Sequence, residues 1–352
     1  MKRAVTIVIA VMIAVLAAMF VAGDGAYWRR YLAAGSDGAG ALPAQLVEPR
    51  VTIKSGEGGS APRSTPVDEG FEPAALQEAT TQARLAGARA LVVRRHGHVV
   101  LTSFAEGIGE NTEMAGGDFS ALPLALVLGT QVESAQLDVQ KAMSELKQAL
   151  PGGGRKASSN PWSTATRTEL GIPDTSRLPA SLAALNLPEA ISERVWQSLH
   201  AADAYLWGRS PQALRVDCCM VARMEDWLRL GDLLLQQGSF EGERVVSASW
   251  VRRLLAGDGH GRLAPIWVDP ARAFTGDEPP AARETLWIDM GPSARLWLLP
   301  QRQMSVLYWA APRSTRPASD TLIPNIIIRG IVDQALPAIG PPALDDLVPG
   351  HQ

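Results

Sequence analysis

The stretch that most constrains this chain is Met114-Ala-Gly-Gly-Asp-Phe-Ser-Ala-Leu-Pro-Leu-Ala-Leu-Val-Leu-Gly129. A glycine-rich approach runs into a segment with no charged side chain between Asp118 and Glu133. A helix that is apolar all round has no face to offer water, so it belongs in the middle of a large core. Asp118 or Ser120 is placed to cap its N-terminus. Pro123 fits the first turn, where the amide it lacks would have no helical partner.

A chain of 352 residues can bury such a core, as one large domain or two lobes. The net charge of −3 gives no reason to expect nucleic acid or an anionic partner. Lysine is scarce, at positions 2, 54, 141, 147 and 156. Cys218 and Cys219 are adjacent, so they provide no disulfide framework, and with no histidine near them no metal site is expected. They are read as small buried hydrophobes. No cofactor is implied.

The ends of the chain differ from its middle. Lys2-Arg3 precede Ala4–Ala22, whose only polar side chain is Thr6. At ~1.5 Å per residue a helix of that length crosses a hydrocarbon core of about 30 Å. The favoured reading of 1–31 is an uncleaved signal-anchor, with Tyr27, Trp28 and Tyr31 as an aromatic belt. A cleaved signal peptide is the alternative, although no clear small-residue cleavage site is visible. The charge balance places the N-terminus inside and the rest periplasmic, as a single-pass inner-membrane protein. Residues 32–71, rich in Gly, Ala, Ser and Pro, read as a flexible tether. A globular domain over 72–336 and a tail over 337–352 complete the division.

Within that domain, Pro73–Ala86 suits a helix with Pro in its first turn. Ala90–Phe104 reads as a β-hairpin turning at Arg95-His-Gly-His98. A metal reading of His96 and His98 would need more ligands nearby in sequence; none appear, so both are expected as exposed turn residues. Val139–Leu150 is a polar amphipathic helix, and 152–188 is loop-like. Glu189–Leu199, Arg223–Gln237 and a short helix capped by Ser247 follow. Glu284–Asp289, Arg295–Leu299 and Met304–Ala310 read as three strands, and Asn325–Leu336 as a closing amphipathic helix. Nine of the ten tryptophans lie beyond residue 160, mostly spaced like core positions rather than a sugar-binding surface. The expected class is α+β: early and late strands share one antiparallel sheet, and an all-helical region is inserted between them.

That order, and especially Val216-Asp-Cys-Cys-Met-Val-Ala-Arg-Met-Glu-Asp-Trp-Leu-Arg-Leu-Gly231 with Gly238–Trp250 after it, resembles the serine β-lactamase and penicillin-binding-protein-like family. The likeness is to its class C-like branch of esterases, peptidases and nylon-oligomer hydrolases. Ser192-Glu-Arg-Val-Trp196 and Leu296-Trp-Leu-Leu-Pro300 fit as well, so the resemblance spans roughly 72–336. It implies an antiparallel sheet with an all-helical lobe and a serine hydrolase site built from three motifs. Ser-x-x-Lys sets nucleophile and base one helical turn apart. Tyr-x-Asn supplies a proton relay and a substrate amide, and Lys-Thr-Gly, or His for Lys, lines the oxyanion site.

None of the three is present. Anchoring on Leu126-Val-Leu-Gly129 puts Asp118 at the serine position and Ala121 at the lysine position. Ser120 is followed three residues later by Pro123. The tyrosines stand at 27, 31, 205 and 308, none between the apolar helix and Trp196. No lysine follows position 156, and Met290-Gly291-Pro-Ser293 keeps a glycine and a hydroxyl without a base. Ser144-Glu-Leu-Lys147 spells the first motif on a polar amphipathic segment, where a solvated face is expected.

The leading expectation is therefore a membrane-anchored, periplasm-facing domain that is catalytically inactive and binds a cell-wall peptide or an envelope protein. The alternatives are an active serine hydrolase with a relocated nucleophile (Ser120, Ser144 or Ser293) and a structural subunit of an envelope complex.

Overall fold

The computed structural model describes residues 2–22, 50–56, 58–149, 185–207, 220–256, 266–267, 285–290, 294–310 and 321–332. Its framework is a six-stranded antiparallel sheet in the order β3-β2-β12-β11-β10-β9. The strands are β2 (Ala88–Arg95), β3 (His98–Phe104), β9 (Ile266–Trp267), β10 (Leu286–Asp289), β11 (Ala294–Leu299) and β12 (Met304–Ala310), while β7 (Ser239–Phe240) and β8 (Glu243–Arg244) pair as a separate hairpin. The expected union of the early hairpin with the late meander is made by β2 against β12, with Val93 opposite Val306 and Leu91 opposite Tyr308.

Both faces of this sheet are covered, so its central strands are apolar on both sides. All seven residues of β12 are buried. Alternation sorts them. Leu91, Val93, Trp297, Leu299, Val306 and Tyr308 pack with helices α2 (Pro73–Leu85) and α8 (Leu322–Arg329). Val92, Leu296, Leu298, Leu307 and Trp309 face the larger core, which holds helix α6 (Met224–Leu235).

At the centre of the larger core lies α3, Leu122–Glu133, in which Leu122 to Gly129 are all buried. The Trp250 indole donates to the Ala125 carbonyl at 2.9 Å. A side chain on Gly129 would overlap that indole, so the glycine is required by the close approach. Trp250 belongs to α7 (Ala248–Ala256), whose N-terminus the Ser247 hydroxyl caps by accepting the Trp250 amide at 3.3 Å. Trp196, Trp227, Trp250, Trp287, Trp297 and Trp309 are all buried, as their spacing predicts.

Around this core several boundaries move. The apolar helix begins at Leu122, after a 3-10 turn over Gly117–Ala121, and no side chain caps it. The polar helix α4 is Val139–Ala149. Helix α5 starts earlier than expected, at Leu187, and passes at Ser192–Trp196 into a π turn and at Gln197–Leu199 into a 3-10 turn. Helix α8 starts before Asn325 and ends at Arg329, where Gly330 takes over the last carbonyls.

A second antiparallel sheet was not expected from the sequence. Its order is β1-β5-β6-β4: Arg50–Ile53, Ala204–Trp207, Met220–Arg223 and Glu113–Ala115. It also changes the tether, which was read over 32–71. From Arg50 onward the chain is part of the domain: β1 pairs with β5, the Ser55 amide donates to Asp203 at 2.9 Å, and Phe71 is a core residue.

Helix α1 runs Lys2–Ala22. Ile7, Val8, Ile9, Val11, Met12, Ile13 and Val15 on it are exposed. Among the described residues, no helix is long and apolar enough to cross a membrane. Residues 32–49, 152–184 and 337–352, the Cys218-Cys219 pair, and the belt residues Tyr27, Trp28 and Tyr31 lie outside the described residues.

Candidate functional site

The residues that the resemblance assigns to the missing serine and lysine, Asp118 and Ala121, lie on the 3-10 turn that feeds α3. Strand β4 brings the chain in, and the Gly116 amide donates to the Met220 carbonyl on β6 at 3.0 Å. The turn packs against β10, the strand leading toward Gly291 and Ser293. Those two residues lie outside the described residues, so the structure gathers Asp118, Ser120 and Ala121 on one turn and leaves the other pair open.

The turn is closed by aromatic packing. Trp227 donates from its indole to the Met114 carbonyl at 3.1 Å. The same indole fills the space that a side chain on Gly116 would take. Its ring lies 5.7 Å from that of Phe119 and 6.3 Å, edge on, from that of Trp196. Phe119 and Ala121 are fully buried and Ser120 is 2% exposed. The Ser120 hydroxyl does not cap the helix: it accepts the Met220 amide at 3.3 Å. Ser144 is exposed on α4, as its polar segment predicts.

Among the described residues, the densest buried charge lies between α6 and the six-stranded sheet. Arg94 of β2 meets Glu225 at 3.1 Å and Asp232 at 2.9 Å. Ser305 donates to Asp232 at 3.1 Å. Arg229 reaches Glu225 at 3.4 Å and donates to the carbonyls of Leu199, His200 and Gly59. Burial pushes the carboxyls of Glu225 and Asp232 above their usual range, against the pull of Arg94 on both. Glu225, Arg229 and Asp232 are spaced i, i+4 and i+7, one face of one helix, which is the signal that would have found them.

At the hairpin turn His96 is exposed, as expected, and His98 is half-buried; their Nδ1 atoms lie 2.8 and 3.0 Å from the two carboxylate oxygens of Glu69.

No protein-family model matches this chain, and no curated protein matches it by sequence. Solved structures do. A Bacillus anthracis protein assigned as a 6-aminohexanoate-dimer hydrolase superposes with a TM-score of 0.56 at 14% identity, covering 82% of this chain and 92% of that one. A Bacteroides dorei protein assigned as a β-lactamase gives 0.49 at 12% identity, covering 75% of this chain and 100% of the other. A Sulfitobacter β-lactamase gives 0.47 at 15% identity, covering 75% and 98%. The first of these likenesses shows the fold, which is α+β and β-lactamase-like.

Proposed function

We propose that this is a membrane-anchored, envelope-facing member of the β-lactamase-like fold that works by binding rather than by serine catalysis. The observation that carries the reading is the first turn of the apolar helix. Ala121 is fully buried and offers no base. Ser120, the hydroxyl of that turn, is buried and accepts a backbone amide. A serine nucleophile needs an accessible oxygen and a neighbouring base to take its proton; here the Ser120 oxygen is buried, and alanine stands at the position that the resemblance assigns to the lysine base.

The ligand is a cell-wall peptide or an envelope protein. The anchor is supported by the uncharged run Ala4–Ala22 behind Lys2-Arg3. The test is covalent labelling of the full chain with a fluorescent penicillin and a fluorophosphonate. No adduct is expected; stoichiometric labelling at any serine within 118–150 overturns the reading. Extraction of membranes with alkaline carbonate tests the anchor separately: an integral segment stays with the lipid, and release of the chain overturns the anchor.

A further inference from the structure

Residues 62–72 form a strap across the outer strand of the large sheet. The Val99 amide donates to the Pro62 carbonyl at 2.8 Å and the Ser64 amide to the Val99 carbonyl at 3.1 Å. At its far end Glu72 donates to the Gly330 carbonyl at 2.7 Å, and Phe71 is 1% exposed in the core beneath α2 and α8. Midway, Glu69 turns inward and is only 8% exposed.

That carboxylate is out of water, and an ionised carboxylate so placed needs a positive partner. Arg95 is beside it but is spent elsewhere: its Nη1 donates to the Glu69 carbonyl at 2.5 Å and its Nε to the Arg302 carbonyl at 3.3 Å. Arg94, the next cation, donates to the Gly97 carbonyl and pairs with Glu225 and Asp232 on α6. Of the strap's other charged residues, Asp68 is held by Thr65 on the exposed side, Arg63 pairs with Glu110, and Glu72 stands at the far end before α2. His96 and His98 remain. His96 makes a hydrogen bond to Oε2 at 2.8 Å. His98 Nδ1 is shielded from solvent and lies 3.0 Å from Oε1 without hydrogen-bond alignment. A neutral His96 can still donate one bond, but a neutral His98 gives the carboxylate nothing. Only a protonated ring attracts it at that geometry.

We propose that Glu69, His96 and His98 form a proton-operated clasp that fastens the 62–72 strap to the β2–β3 turn in mild acid and loosens it at alkaline pH. The clasp needs a protonated imidazole facing an ionised carboxylate, a pairing that mild acid allows and alkaline pH removes. Opening frees the strap where it covers the edge of β3 at Val99.

The test is hydrogen exchange of the full chain in detergent micelles with EDTA, followed by mass spectrometry and corrected for intrinsic rates. Protection of the 62–72 peptide is expected to be roughly three- to tenfold greater at pH 5.5 than at pH 8.0, the scale of a partly buried charge-assisted contact. A peptide from β12 should not change. Glu69→Gln should remove the difference while keeping the shape, and His98→Gln should remove most of it. Equal protection at the two pH values overturns the clasp, as does a wild-type response in His98→Gln, the variant that stands if Glu69→Gln fails to fold. A response shared by β12 overturns it as global loosening. Protection that appears only when zinc chloride replaces EDTA overturns it in favour of a metal as the closing ion.

Discussion

Helix α6 serves two neighbouring regions, and they differ in kind. Toward the turn before α3 it presents Trp227, which packs tilted against Phe119 and edge-on against Trp196 around Ser120 and Ala121. Toward the sheet it presents Glu225, Arg229 and Asp232, which meet Arg94 and Ser305. Charge is kept buried where it ties a helix to a sheet. It is absent from Ala121, the position that the resemblance aligns with the family's lysine. A buried charge is costly unless it is matched. A catalytic lysine is such a charge, held in place by its site; at Ala121 that cost is removed by a methyl group.

The sharpest way to break the comparison is to unbalance the charged side. Arg94→Leu leaves Glu225 and Asp232 facing each other with only Arg229 near, and Arg229 already holds three carbonyls. Removing one partner from a buried pair costs about 3–5 kcal/mol. Urea denaturation should show a loss of that size. A loss under about 1 kcal/mol would mean that water reaches the network and that the two sides of α6 do not differ as described.

A gentler probe is pH. Burial raises the carboxyls of Glu225 and Asp232, so the folded chain binds their protons more tightly than the unfolded chain does. Their contribution is then fully present below the unfolded values of 4.5 and 3.8, and is lost as pH rises through the raised folded values. The melting temperature, followed from pH 4 to 8, should fall through that window relative to a Glu225→Gln, Asp232→Asn double variant. Parallel profiles for the two proteins would show that Arg94 and Arg229 offset the burial completely.

The sequence carried the scaffold further than it carried these two regions. Met304–Ala310 was legible residue for residue, because an unbroken apolar run between turn residues suits a central strand covered on both faces. The hairpin was legible from Gly97, which takes φ +83° at the turn. Strand β1 was not: four residues in Gly- and Pro-rich text give no periodicity, and their partner strand begins about 150 residues on, at Ala204. Arg95 reads as part of the hairpin turn and Arg94 as the strand residue before it, yet both are buried, because their partners come from α6 and from the strap. Glu69 was hidden for the same reason, inside a segment whose composition reads as tether. In the first turn of the apolar helix the identities were visible, but the aromatic closure was not: Trp227 reaches Gly116 and Phe119 from more than a hundred residues away.

The smallest expected effect falls on the apolar side and separates structure from chemistry at one oxygen. Ser120 accepts the Met220 amide, and so helps join the first turn to β6. Ser120→Ala leaves that amide without its side-chain acceptor, which should cost about 1–2 kcal/mol in urea denaturation. If Ser120 is only structural, any ester or amide turnover by the chain survives the change once compared at equal folded fraction. Turnover abolished by this substitution, with stability lowered no more than that, would make the buried hydroxyl a relocated nucleophile. The contrast between the two sides of α6 would then lie in how deeply the chemistry is set rather than in its absence.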